Sequence, residues 1–293
     1  MEAKSSTVEE GRAQAPSRAR RRPHPAGKRI NQPAPARARS RRSAAAFHKP
    51  VPWPDIIPAG QWANYRLAIE TARAEGIRFL LGGGFSLAIY TGRWRNTKDI
   101  DFYILPRDRD PMIAALSKAG FVDYFDQLPY DPGWIYRSTR EGIIVDIIWS
   151  MANRRAEVDE LWFERAQSTR IREEATEIVP PEELLWCKLY ILQRDHSDWT
   201  DIFNLLYTVG PLLDWEHLFR RVGPDLPLLR SAVGVFLWLC PNRARALPDR
   251  VFEMLGLERP ARVSSTEQQH RVRLLDSRGW FGAFQPADQT LEV

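Results

Sequence analysis

From residue 60 the apolar positions of this chain change period several times, and each change marks an element. Residues 60–75 (GQWANYRLAIETARAE) place apolar side chains at helical spacing and stop at Gly76, which predicts a helix closed by glycine. Residues 77–81 are a short apolar run, read as a strand. Gly82-Gly83-Gly84 then turns the chain and residues 85–90 open a second helix. In KDIDFYIL, residues 98–105, polar and apolar positions alternate as in a half-buried strand. Residues 109–118 return to helical spacing, with Pro111 in the first turn and Gly120 past the end. Residues 134–140 and 142–149 read as strands on either side of Arg140-Glu141-Gly142, a hairpin signal. The order is α-β-α-β-α-β-β, a mixed α/β core.

From residue 182 the pattern is almost wholly helical. PPEELLWCKLYILQR opens on two prolines and a pair of glutamates, a good helix start. HSDWTDIFNLLYTVG, DWEHLFRRVG, PLLRSAVGVFLWLC and PDRVFEMLGL follow as further helices. The expected organisation is an α/β domain over 47–178, a helical domain over 179–257 and a loosely ordered polar tail over 258–293.

Charge changes the picture at the N-terminus. The chain has a net charge of +5, but residues 1–46 carry 12 Lys and Arg against 3 Asp and Glu, and the remainder is −4. This Arg-, Ala-, Pro- and Ser-rich segment has almost no large apolar residue and cannot repay the entropy of ordering, so it reads as a disordered basic tail. It is either an anion-binding arm, for RNA for example, or an extension without a role. The two cysteines, Cys187 and Cys240, lie in apolar stretches and read as core. No apolar run approaches the length of a membrane span, and Arg21-Arg22 is not followed by an apolar stretch. A cytoplasmic protein with no membrane contact is expected.

The candidate chemistry lies in LGGGFSLAIYTGRWRNTKDIDFYIL. Asp99 and Asp101 are two apart on a strand, so both side chains leave the same face. Two carboxylates held together in apolar surroundings need compensation. Asp146, inside the apolar run GIIVDIIWS, could join them from a neighbouring strand. Three converging carboxylates form a hard oxygen site suited to Mg²⁺ or Mn²⁺. Two such metal ions a few Å apart would activate an attacking acceptor hydroxyl and stabilise the leaving pyrophosphate. Gly83, Gly84 and Ser86 stand at a helix start, where backbone N–H groups favour phosphate oxygens. The same glycines would equally serve a tight turn with no ligand.

With these residues in place, GGGFSLAIYTGRWRNTKDIDFYI resembles the glycine-rich turn and D-x-D strand of the polymerase-β-like nucleotidyltransferase superfamily. It is closest there to small prokaryotic members, including AbiEii-like toxins. PPEELLWCKLYILQRDHSDWTDIFNLL is similar to that group's helical motif, and the resemblance spans about residues 60–210. It implies a small mixed-sheet catalytic core with a helical C-terminal domain. It implies NTP as substrate, Gly83, Gly84 and Ser86 at its phosphates, and Asp99 and Asp101 as metal ligands. Asp146 would be the third carboxylate, deprotonating or orienting the acceptor hydroxyl. Lys188 would bind a triphosphate oxygen from across the cleft, and Arg194, Asp198 and Asp201 match the trailing motif. The acceptor is left open among RNA or tRNA, a small molecule and a protein. The alternatives are a non-catalytic nucleotide- or partner-binding module on the same fold, and a toxin held by an antitoxin partner.

Other polar positions have plain readings. Lys188, in a mostly apolar helix, is either paired or extends its stem over the core. Asp198 and Asp201 share a helix face and would equally suit a helix start near Ser197. Arg93 and Arg95 could approach a triphosphate or remain solvated. His196 and His217 have no metal-ligand spacing, and most of the tryptophans read as core.

Overall fold

A computed structural model of the chain describes residues 57–94, 97–193 and 196–275. The basic segment 1–46, Arg95 and Arg194 lie outside the described residues. The fold is mixed α/β. Helix α1 (Ala59–Ala74) is followed by β1 (Leu80–Leu81), α2 (Gly83–Thr91), β2 (Asp99–Tyr103), α3 (Arg109–Lys118), β3 (Val122–Asp123), β4 (Ile135–Arg140) and β5 (Ile143–Ile148). A short helix α4 (Glu160–Glu164) leads into β6 (Gln167–Ile171) and β7 (Glu174–Ile178). Seven strands form one sheet in the order β3-β4-β5-β2-β1-β7-β6. β2 runs parallel to β5, β1 runs parallel to β7, and the other neighbours are antiparallel.

Local chemistry explains several boundaries. β4 and β5 are joined by Glu141-Gly142, with φ of 54° and 76°. Positive φ at both central residues is the tight hairpin turn that matches strand twist, and glycine at the second position removes half of its strain. This turn sets Arg140 opposite Ile143 and, counting back, Arg137 opposite Asp146. The β6–β7 hairpin is not in the element order read from sequence. It is short, and its outward positions Ser168, Arg170 and Glu177 are polar, so its alternation is carried by few apolar side chains.

The core sits on the sheet face that carries Ile100, Phe102, Val145 and Ile147, all 0% exposed. Helix α1 covers this face, and Arg140 Nη1 donates to Asn64 Oδ1 across it at 2.8 Å. Beyond the sheet the described chain is helical: α5 (Pro181–Leu189), α6 (Trp199–Thr208), α7 (Trp215–Val222), α8 (Leu226–Leu239), α9 (Pro241–Ala244), α10 (Asp249–Leu255) and α11 (Ser265–Leu275). The last of these is a regular helix inside the segment expected to be loose. It packs on α8, with Arg271 over the Trp238 ring at 5.5 Å. Residues 215–239 form the one helical stretch among the described residues that is long and apolar enough to cross a membrane, with a mean hydropathy of 1.2. It bends at Gly223, and its apolar residues Leu218, Val222, Leu229, Val233 and Phe236 are buried in the protein. Cys187 and Cys240 are both buried and free.

Phe102 is fully buried in the middle of the sheet. Phe102→Ala is expected to cost about 3–5 kcal/mol through lost burial and the cavity left behind. Urea unfolding of the full chain measures it, and a loss below about 1 kcal/mol would show that this face is not the packed core.

Candidate active site

The register of β2 and β5 decides where the acidic side chains go. Asp101 is the direct neighbour of Asp146 across the parallel pair, and Asp99 is the neighbour of Ile144. Residues paired in this way point to the same face, so Asp99, Asp101 and Asp146 share the side of the sheet opposite the Phe102 core. Paired strands lie about 4.8 Å apart, which sets the Asp101 and Asp146 backbones at that spacing. The antiparallel pairing of β4 with β5 adds Arg137 to the same row. Asp101, Asp146 and Arg137 thus run side by side across three strands.

The glycine turn meets this row directly. Gly82 N–H donates to the Asp101 carbonyl at 2.9 Å. Gly83 has φ +47°, and a Cβ there would stand 1.7 Å from Asp101 Oδ2. No side chain fits at that position, so glycine is required for both reasons. Gly84 backs onto Thr97, 3.3 Å from where a Cβ would be. Thr97 Oγ1 in turn donates to Asp99 Oδ1 at 2.5 Å. The first N–H groups of α2 have no partner inside the helix, and they start beside the Asp101 carboxylate. A phosphate-favouring helix start and the D-x-D pair are therefore contiguous. Ser86 is placed differently from the expectation. It is fully buried, and its hydroxyl donates inward to the Leu81 carbonyl at 2.6 Å, tying the helix to β1. The Ser86 N–H is also spent, on the Gly82 carbonyl. Packing against the strand, which the sequence motif does not report, claims that side chain.

Lys188 also departs from the expected arrangement. It does not extend across a cleft: its side chain is 5% exposed, with Nζ 2.6 Å from Asp198 Oδ2 and 2.7 Å from Asp201 Oδ2. Burial works to lower its pKa, but the charges and hydrogen bonds of Asp201 and Asp198 outweigh that and hold the ammonium above its ordinary range. Asp198 and Asp201 do open α6, but their side chains close this buried triad. His196 approaches Asp198 Oδ1 at 3.0 Å from the surface. His217 is buried against Glu183, Nε2 to Oε1 at 2.5 Å. Arg93 is exposed just past the C-terminus of α2.

Charge within the row is unbalanced. Loss of water raises Asp101 well above the usual carboxylate range, and Asp99 and Asp146 push it further, while Lys188 and Arg137 pull it back. Burial also raises Asp146, opposed by its hydrogen bonds to Arg137. Arg137 Nε donates to Asp146 Oδ1 at 2.8 Å and Nη2 to Oδ2 at 2.5 Å, a two-point fork. Sequence reading did not single out Arg137. The signal was available, because a two-residue turn after Arg140 places residue 137 against residue 146.

The donor set fits a divalent cation. Asp99 and Asp101 offer hard oxygens from one face, Asp101 carries a destabilised charge that a cation would relieve, and the bare backbone of Gly83 stands against its Oδ2. Among the described residues, no three His, Cys, Asp or Glu side chains are gathered as a ready metal cage. Asp146 is held by Arg137.

A family model described as "Uncharacterised nucleotidyltransferase" matches residues 62–242. The chain belongs to this nucleotidyltransferase family. The match covers the sheet, the carboxylate row and the helices through α8. It bears out the nucleotidyltransferase reading of the motifs, and the AbiEii-like subgroup stays an expectation. No curated protein matches the chain. Among solved structures, the antibiotic-resistance factor ANT(2'')-Ia in solution is similar at 16% identity, over 59% of this chain and 96% of that one, with a TM-score of 0.42. An antigenic nucleotidyltransferase-like protein from Paracoccidioides brasiliensis is similar at 15% identity, over 68% and 94%, with a TM-score of 0.37. JHP933 from Helicobacter pylori is similar at 12% identity, over 79% and 97%, with a TM-score of 0.35.

Two stability measurements check this electrostatic description. Lys188→Met removes the buried cation that two carboxylates share and is expected to cost about 3–5 kcal/mol; a neutral result in thermal and urea unfolding would contradict the triad. Asp101→Asn is expected to act in the opposite direction. Because the folded state raises the Asp101 pKa, its ionised form opposes folding at neutral pH, and that cost disappears as acid protonates it in both states. In chelator-treated protein, Asp101→Asn should therefore raise the unfolding midpoint at pH 7, with the gain shrinking toward pH 4. A variant less stable than wild type at pH 7 would refute the assignment.

Proposed function

We propose that this nucleotidyltransferase moves a nucleoside monophosphate from an NTP to an acceptor hydroxyl. The hydroxyl oxygen bonds to the α-phosphorus, the bond from that phosphorus to the bridging β-phosphate oxygen breaks, and pyrophosphate leaves. The observation that carries the reading is the register that sets Asp101 beside Asp146, with Asp99 on the same face and the Gly83 turn against Asp101.

Each part has a task. The N–H groups of Gly83 and Gly84 at the start of α2 hold phosphate oxygens. Asp99 and Asp101 hold Mg²⁺ or Mn²⁺, with Asp146 as the third carboxylate. When bound, the cation neutralises charge developing on the transferred phosphate and the leaving pyrophosphate. Asp146, whose ionised form the Arg137 fork favours against the cost of burial, accepts the proton of the acceptor hydroxyl or orients it. Ser86 and Lys188 take no part at the phosphates in this scheme. Ser86 fastens the turn, and Lys188 with its two aspartates sits behind the site, where its charge reaches Asp101. Residues 47–293 carry a net charge of −4, so a broad phosphate-reading groove has no charge behind it there. The reading therefore favours a compact acceptor. A nucleic-acid acceptor would draw on the +9 of residues 1–46.

Incubation with Mg²⁺, each labelled NTP and a cell extract, fractionated into RNA, protein and small molecules, tests the proposal. Label is expected to enter one fraction with release of pyrophosphate and to require the metal. Asp99→Asn and Asp101→Asn are each expected to lower transfer by about 10²–10³-fold, the scale of losing one group that stabilises transition-state charge. Undiminished transfer by both variants would end the proposal.

A further inference from the structure

Among the described residues, Arg137 is the cation that forks onto a carboxylate of the row. Its partner Asp146 is 2% exposed, whereas the Arg137 side chain is 27% exposed and stands at the open side of the pair. Both Asp146 oxygens are engaged by the guanidinium. The pair is enforced by backbone register across β4 and β5 and does not depend on a loop. On the other side of Asp146 stands Asp101, so Asp146 lies between a carboxylate and a guanidinium. In this arrangement the three acidic side chains do not gather as a metal cage.

We infer that Arg137 is a positioning residue that competes with the divalent cation for Asp146, holding the third carboxylate away from the metal and directed toward the acceptor side of the site. The inference rests on the nucleotidyl-transfer reading for the role of Asp146, but the competition itself is a property of the apo protein. With Arg137 in place the row carries two uncompensated carboxylates, enough for a weak cation site that the nucleotide's own phosphates complete. Without it the row carries three, which together bind a divalent ion before any nucleotide arrives. The guanidinium thus makes cation binding depend on the NTP and leaves Asp146 free of the metal for the hydroxyl.

Mn²⁺ binding to the full-length, NTP-free protein, measured by calorimetry or by loss of the free-ion electron paramagnetic signal, tests this without any turnover. Arg137→Met is expected to bind Mn²⁺ about tenfold more tightly than wild type, the scale of removing one close charged competitor. Arg137→Lys, which keeps the charge but cannot fork, should fall between them. Adding Asp146→Asn to Arg137→Met should abolish the gain. In transfer assays Arg137→Met should lower kcat while leaving the KM for NTP unchanged or reduced. Should the Met variant not fold, Arg137→Gln carries the same expectation. Unchanged or weaker Mn²⁺ affinity on loss of the guanidinium, or a gain that survives Asp146→Asn, overturns the inference. Tightening that depends on Asp146 in a protein with no transfer activity would remove the proposed reaction and leave this inference standing. Transfer activity with unmoved affinity would do the reverse.

Discussion

The pairing of β5 with its two neighbours governs this molecule's chemistry. β5 is central among the strands that carry charge, and its one acidic residue, Asp146, meets a carboxylate from β2 on one side and a guanidinium from β4 on the other. A shift of either strand by one residue would send a member of that row to the face packed by Ile100, Phe102, Val145 and Ile147, where a charge has no partner. The apolar residues of β5 specify the register by burial, and the polar residue then has only one place to stand.

Compensation of buried charge extends from this row into the helices. Lys188 on α5 holds Asp198 and Asp201 at the start of α6, and its field reaches Asp101. The helical half of the chain is thereby joined to the sheet electrostatically as well as by packing, with Tyr103 on the site face stacked on Trp162 of α4 at 5.5 Å and Trp162 meeting Trp186 of α5 at 6.4 Å. Such buried pairs contribute less to net stability than their geometry suggests, because desolvation offsets most of the attraction. Their consequence is specificity of arrangement: Lys188 fixes Asp198 and Asp201, and Arg137 fixes Asp146. Asp101 has no such fork, and burial together with Asp99 and Asp146 raises it. Stored electrostatic cost of this kind is found where function needs it.

The glycine turn makes the complementary point in steric terms. Gly82 and Gly83 carry no side chain because Tyr103 and Asp101 already fill that space. The turn is therefore a packing device for β2, and the phosphate-holding role proposed for it is compatible with that because both need bare backbone close to the D-x-D strand. Ser86 belongs wholly to the first role.

Much of this was legible in the residues alone. Helical and strand periods located α1, α2, α3 and the strands β2, β4 and β5, because long amphipathic runs state their own geometry. The hairpin turn was marked by Glu141-Gly142, and the shared face of Asp99 and Asp101 followed from the two-residue repeat of a strand. What sequence could not decide was the partner of each charged side chain. Lys188 is 10 and 13 residues from its aspartates and separated from them by a helix end, so only the packing of α5 on α6 reveals a triad where the chain offered a lone cation. The inward turn of the Ser86 hydroxyl, the hold of Arg137 on Asp146 and the β6–β7 hairpin at the sheet edge are likewise tertiary facts. Periodicity is a local property and is written in order along the chain. The neutralisation of a buried charge is decided by whichever opposite charge the fold brings within hydrogen-bond distance, and that distance does not exist until the sheet and helices have closed.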